Sequence, residues 1–181
     1  LAVGPWNHGG WAGGTGRKLG SFDFGSDTAA YFRERIQAPW FAYWLKGKGA
    51  LPLKEAVTFQ SGTNRWQSYD ACPPRQGVTE RKLYFHDHAL LSFDPSPSGV
   101  AEGFQSYISD PAHPVPYRHR PIGPTYPGPE WPVWLLEDQR FVYLRPDVAA
   151  FQTEVLSQDL AVSGDIVARL VVSTSGTDSD W

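Results

Sequence analysis

The chain has 181 residues, 41% hydrophobic and 19% charged, with a formal net charge of −3 at pH 7, enough for one ordinary domain with a core or for parts of two. The weak acidic balance gives no electrostatic footprint for nucleic acid, no basic run marks a membrane surface, and no apolar run approaches the roughly twenty residues that span a bilayer. The single cysteine, Cys72, excludes an internal disulfide, and 18 glycines, 16 prolines and 14% aromatic residues suit a loop-rich, strand-rich protein better than a helical bundle.

The first element is the run Leu1-Ala2-Val3, which reads as the end of a buried strand. Gly4-Pro5 stops it, because proline fixes φ and removes a ladder donor. The first acid–base side chain after that stop is His8, followed at once by Gly9-Gly10. Catalytic groups of open α/β sheets sit on such loops, at the carboxyl ends of strands. An imidazole there can take and return a proton, as acyl transfer demands. By local pattern alone, a polar loop residue is the alternative.

Residues 9–25 form a glycine-rich loop containing Gly13-Gly14-Thr15-Gly16-Arg17-Lys18. A phosphate-binding loop would need Gly-Lys followed by Ser or Thr, and Gly16 is followed by Arg17. A flexible loop near the site is the favoured role. A helix follows, with Ser26 or Asp27 offering an N-cap oxygen. Phe32, Ile36, Trp40 and Trp44 recur every four residues and form an apolar stripe for core packing, with Arg33, Glu34 and Arg35 opposite. Gly47 suits the C′ position, and Pro39 predicts a kink near Gln37-Ala38.

Beyond the connector Lys46 to Lys54 the period changes to that of strands. Ala56 to Gln60 is a candidate, broken at Ser61-Gly62-Thr63-Asn64 and restarted at Trp66. Further candidates are Arg81 to His88, Glu102 to Ser109, Gln139 to Leu144, Ala149 to Val155 and Ile166 to Ser173. Short strands without intervening helices predict a β-sandwich or jelly roll. The proline-rich run Asp110 to Pro132 has the composition of a polyproline ligand. Tyr126, Trp131 and Trp134 favour a long crossover pinned to the sandwich by its aromatic residues.

Two other polar groups compete for a role. His86-Asp87-His88 would put two imidazoles on one face of a strand, as a cupin-type metal site requires. Ala89 to Phe93 supplies no carboxylate, so a solvated strand end is favoured, with His113 and His119 as plain loop residues. Asp138, Arg140, Arg145 and Asp147 could hold a charged substrate, although structural ion pairs are the commoner outcome.

Gly4-Pro5-Trp6-x-His8-Gly9 resembles the segment that carries the triad histidine of the X-Pro dipeptidyl-peptidase/cocaine-esterase-like serine hydrolases. Tyr43-Trp44-Leu45-Lys46-Gly47 is similar to the end of the helix that follows that histidine. Ser109 to Tyr117, Glu137 to Val142, Arg145 to Val148 and Ser173 to Trp181 resemble the carboxy-terminal jelly-roll domain, most of all in the α-amino-acid ester hydrolases and glutaryl-cephalosporin acylases. These matches are scattered over most of the chain in the family's order. The fold they imply is the end of an α/β-hydrolase domain at residues 1–50, followed by an incomplete jelly-roll β-sandwich at 51–181.

The resemblance further implies an acyl-transfer serine hydrolase in which His8 is the triad base. Family order runs serine, aspartate, histidine, and no serine here stands in a Gly-x-Ser-x-Gly elbow. The chain, without Met and opening inside a strand pattern, reads as an internal piece of a longer polypeptide that is inactive alone. The expected substrate is a small ester, amide or peptide, with no cofactor, no metal, no nucleic acid and no membrane. Association with further copies and the compartment stay open. The rival reading is a non-catalytic β-sandwich module that binds carbohydrate or a partner; a cupin-like metalloprotein is the third.

Overall fold

The structure, a computed structural model, describes residues 1–97, 103–126 and 128–179. Among the described residues it has three small sheets of short strands and few helices, joined by long irregular segments. The chain separates into two compact units, residues 1–77 with 123–137, and residues 78–122 with 138–181.

In the first unit β1 (Ala2–Val3) pairs in parallel with β4 (Ala56–Gln60), Ala2 opposite Val57 and Val3 opposite Thr58. Parallel neighbours need a crossover, and the intervening chain supplies one through a helix. β4 then turns through residues 61–64 into antiparallel β5 (Arg65–Tyr69), giving the order β1-β4-β5. The predicted strand, break and restart are all present. β1 is a strand as expected but not a buried one, since Val3 is 49% exposed. It has a ladder partner on one edge only, among the described residues. In the glycine-rich stretch β2 (Lys18–Leu19) and β3 (Phe22–Asp23) form a small hairpin, and Asp23 holds Arg17 and Lys18 in ion pairs.

The helix runs as α1 (Thr28–Tyr31), a π-helical stretch (Phe32–Gln37) and α2 (Ala38–Lys46). Pro39 offers no N–H to the preceding turn, and the register before it widens to five residues, with Ala38 N–H donating to Arg33 O. The irregularity expected from Pro39 therefore takes the form of a π turn. Asp27 occupies the N-cap, yet neither it nor Ser26 caps through its side chain. Asp27 contributes only its carbonyl, which accepts from Tyr31 N–H at 2.9 Å. Gly47, at φ 60°, closes α2 as predicted: its N–H donates to Tyr43 O and that of Lys48 to Ala42 O, both at 3.0 Å.

The core of this unit is Phe24, Ala29, Ile36, Ala56 and Val57, with Thr28 fully buried among them. Trp66 gathers aromatic rings around it: Tyr31 stacks at 5.2 Å, Phe59 meets it edge-on at 5.5 Å and Trp6 lies at 5.9 Å. The expected stripe is half realised. Ile36 is buried, which stabilises the fold by roughly 2 kcal/mol, whereas Trp40 and Trp44 are exposed. Past the π turn, no described element covers that face.

In the second unit β6 (Tyr84–His86) pairs antiparallel with β7 (Leu90–Ser92), and β8 (Gln152–Thr153) runs parallel to β7. Phe85 and Phe151 meet edge-on at 4.7 Å, and Arg81 lies 4.5 Å over the Phe93 ring. The strand candidates fare unevenly. Arg81 to His88 shrinks to β6 and Ala149 to Val155 to β8. Gln139 to Leu144 is instead a 3-10 turn at Gln139–Val142, because the Asp138 side chain accepts from Arg140 N–H and caps it. Residues 103–109 and Ile166 to Ser173 form no strand, and the latter is exposed. Glu102 lies outside the described residues, as does Trp181. No closed barrel forms among the described residues.

Candidate functional site

His8 lies five residues beyond the end of β1, in a succession of tight turns. Trp6 N–H donates to Gly4 O, Gly10 N–H to Asn7 O and Ala12 N–H to Gly9 O, each at 3.0 Å. The Trp6 side chain turns inward, its ring 5.2 Å from Phe32 and its Nε1–H donating to Thr28 Oγ1 at 2.8 Å. The His8 side chain is exposed. Among the described residues its ring nitrogens make no hydrogen bond or ion pair. Its ring instead meets two indoles edge-on, Trp11 at 6.2 Å and Trp131 at 6.5 Å.

Five of residues 9–16 are glycine, and the start of the helix fixes the backbone of this part of the loop. Thr28 Oγ1 donates to Gly16 O at 2.6 Å, and Ala29 N–H donates to Thr15 O at 2.9 Å. Arg33 donates from Nη1 to Trp11 O at 2.9 Å and to Gly13 O at 3.3 Å, and from Nη2 to Gly14 O at 2.8 Å. Where the sequence pattern predicts a flexible loop, the carbonyls of Trp11, Gly13, Gly14, Thr15 and Gly16 each accept a hydrogen bond from the helix.

An open hollow of about 470 Å³ is lined by His8, Gly9, Tyr126 and Trp131. Tyr126 and Trp131 meet at 5.1 Å, and Trp134 lies 6.1 Å beyond. The sequence pattern predicts that these aromatic residues pin a crossover to the sandwich. Residues 123–137 belong instead to the first unit, where Val133 and Leu136 lie against Gly20. The pattern does not reveal Tyr126 and Trp131 as neighbours of His8. Their only sequence signal is aromatic density in a proline-rich run, which has no period to say what it faces.

The other polar groups separate from this site. His86 ends β6, with Nε2 at 2.9 Å from Asp94 O and Nδ1 at 3.3 Å from Ser96 Oγ. Asp87–Ala89 is a 3-10 turn with His88 at φ 60°, so the two imidazoles do not share a strand face. Among the described residues no three His, Cys, Asp or Glu side chains converge as a metal-ligand set. His113 Nδ1 lies 2.8 Å from Asp110 Oδ2, and that contact is the main cause holding the Asp110 carboxyl below its ordinary range. His119 packs on Phe141 at 4.1 Å.

Arg140 pairs with Asp138, and Arg145 pairs with Asp147 at 2.5 Å while also donating to His113 O at 3.3 Å. The four charged residues are thus engaged in structural ion pairs. Hydrogen bonds from the Arg140 side chain, then from its backbone N–H, lower Asp138 to about 2. The Arg145 side chain likewise lowers Asp147.

Residues 48–181 match the family model of the X-Pro dipeptidyl-peptidase C-terminal non-catalytic domain. The chain belongs to the X-Pro dipeptidyl-peptidase/cocaine-esterase-like family. Cocaine esterase of Rhodococcus sp. (strain MB1 Bresler) is 29% identical over 192 residues, an alignment that takes in 100% of this chain and 32% of the relative. The chain thus spans about a third of that relative's length. A solved α-amino acid ester hydrolase is similar at 36% identity and a TM-score of 0.76, over 91% of this chain and 27% of the other. An aminopeptidase from the marine sediment archaeon Thaumarchaeota archaeon matches at 36% identity and a TM-score of 0.73, over 84% and 24%. All three relatives are hydrolases. In this family the matched domain is non-catalytic, and His8 lies outside it.

Proposed function

We propose that this chain supplies the general base, His8, to a serine hydrolase that transfers acyl groups from esters or amides to water. Residues 1–50 would then be the end of an α/β-hydrolase domain, and 51–181 the beginning of the jelly-roll domain. The observation that carries the reading is the placement of His8. Its imidazole follows a strand that enters a parallel crossover, on a loop tied down by the helix, facing an open hollow. Open α/β sheets present reacting groups at the carboxyl ends of their parallel strands.

In the reaction His8 takes the proton of a serine hydroxyl as it attacks the carbonyl carbon. It returns that proton to the leaving alcohol or amine, and water then repeats the cycle on the acyl-enzyme. An aspartate orients the imidazole, and two hydrogen-bond donors hold the oxyanion. Serine and aspartate would come from polypeptide outside these 181 residues, in keeping with the greater length of the relatives. By this reading the chain alone hydrolyses nothing. Tyr126 and Trp131 give the hollow an aromatic wall suited to the apolar part of a small ester, amide or peptide. A non-catalytic binding module is the second reading, favoured by the description of the domain at 48–181.

The test is His8→Ala in the intact protein, assayed on an activated aryl ester. The kcat should fall by roughly three to six decades, the range for triad members. The melting temperature should hold, since exposed changes cost within about 0.5 kcal/mol. Retention of more than about a tenth of kcat would remove the base role.

A further inference from the structure

We propose that Arg33 is a positioning residue for His8, acting through the backbone of residues 11–14. The inference rests on the reading of His8 as the base. Glycine-rich backbone has the most conformational freedom to lose, so such a loop keeps one shape only when its polar groups are tied. Here the guanidinium fork reaches three carbonyls in four residues, those of Trp11, Gly13 and Gly14. The first of them belongs to the residue whose indole abuts the His8 ring at 6.2 Å. Among the described residues Arg33 has no carboxylate partner, so its donors go to this loop.

The helix places that fork against the loop. Arg33 sits in the π-helical stretch, and its own carbonyl accepts the five-residue bond from Ala38 N–H. The widened turn thus opens just after Arg33, and π turns are frequent beside functional sites. Thr28 and Ala29 secure Gly16 and Thr15 one turn earlier. Arg33 is thus the side chain that holds the half of the loop nearest His8. Guanidinium geometry matters here, because Nη1 and Nη2 donate from two separate positions in a rigid fork, whereas a lysine ammonium presents its donors from a single atom.

The experiment uses the intact protein with Arg33→Met, which keeps the aliphatic stem, and Arg33→Lys, which keeps the charge. Two quantities are read: kcat and KM on p-nitrophenyl acetate, and the Cε1–H proton resonance of His8, assigned by its loss in His8→Gln. We expect kcat to fall up to about 100-fold in Arg33→Met, as displacement of a reacting group by about 1 Å can cost. KM should stay within about twofold, the His8 resonance should shift, and Arg33→Lys should lie between Met and wild type on both readouts. A purely structural arginine would lower the melting temperature and leave the His8 resonance in place. Either readout at its wild-type value overturns the proposal. If Arg33→Met does not fold, Arg33→Lys is judged by the same two readouts. Should His8→Gln keep wild-type kcat, the base reading fails by itself. The resonance in Arg33→Met then decides positioning alone, a shift supporting it and no shift overturning it.

Discussion

Thr28 is the residue through which the energetics of the His8 loop can be measured most directly. It is fully buried, and its hydroxyl both accepts from Trp6 Nε1 at 2.8 Å and donates to Gly16 O at 2.6 Å. Thr28→Val keeps the shape and the branching at Cβ, so it opens no cavity and barely alters helix propensity. It leaves one indole donor and one carbonyl without partners. Each such loss costs about 1–3 kcal/mol, and Trp6 and Gly16 are only half-buried, which points to the lower end. The sum is about 2–3 kcal/mol. Thr28→Ser keeps both hydrogen bonds and loses one methyl, worth about 0.8 kcal/mol. With Tm moving about 2–4 °C per kcal/mol at this size, the two variants should separate clearly by calorimetry or urea unfolding. If Thr28→Val proves no more destabilising than Thr28→Ser, the hydroxyl does not hold Trp6 and the loop together, and His8 is placed by other contacts.

The remaining predictions are briefer. Gly16 lies at φ +66°, and a Cβ there would sit 2.6 Å from Ala29 Cβ and N. Gly16→Ala should therefore cost about 2–4 kcal/mol, a left-handed penalty plus overpacking. Gly14, at φ +58° with open space around it, should cost only about 1 kcal/mol on the same change; equal melting temperatures for the two would refute the close approach. The Asp138 carboxyl is lowered to about 2 in the folded state, below its unfolded value near 3.8. Its stabilising contribution is thus complete above that unfolded value and lost as pH falls through about 2. Asp138→Asn should lower the urea midpoint at pH 7, with the gap to wild type closing toward pH 2. A gap that does not change with pH would contradict the ion-pair assignment.

The parts of the fold legible in the sequence are those whose stabilising contacts are local. β4 and β5 meet through a four-residue turn, and Gly47 and Lys48 close the helix through bonds to residues four and six positions back from each in turn. The elements that were not legible depend on partners the sequence does not place. Ile166 to Ser173 has strand composition, but a strand exists only in a ladder, and no described segment pairs with it. Gln139–Val142 reads as a strand until the Asp138 cap is counted. His88 and Ala89 turn the chain with positive φ and no glycine to announce it. For the site, the strand stop and the Gly-flanked histidine are visible in sequence, whereas the Tyr126–Trp131 wall is a contact across more than a hundred residues.

Among the five histidines, His8 is the one whose surroundings suit the proposed base. A triad imidazole needs both nitrogens, one for the orienting carboxylate and one for the nucleophile. His86 already has contacts at both of its nitrogens, and His113 Nδ1 is committed to Asp110. His88 sits in a left-handed turn, and His119 packs on Phe141. His8 alone among them combines nitrogens unengaged by the described residues with a hollow in front and a tethered loop behind. Exposure makes this arrangement inexpensive, since water satisfies both nitrogens until a partner replaces it. The interactions that shape the loop are concentrated at Thr28, Gly16 and Arg33, and His8 contributes little to them. Stability and chemistry are therefore separable by mutation. Thr28→Val should melt early while His8→Ala melts with wild type, and the kinetic loss should be larger in the variant that melts normally.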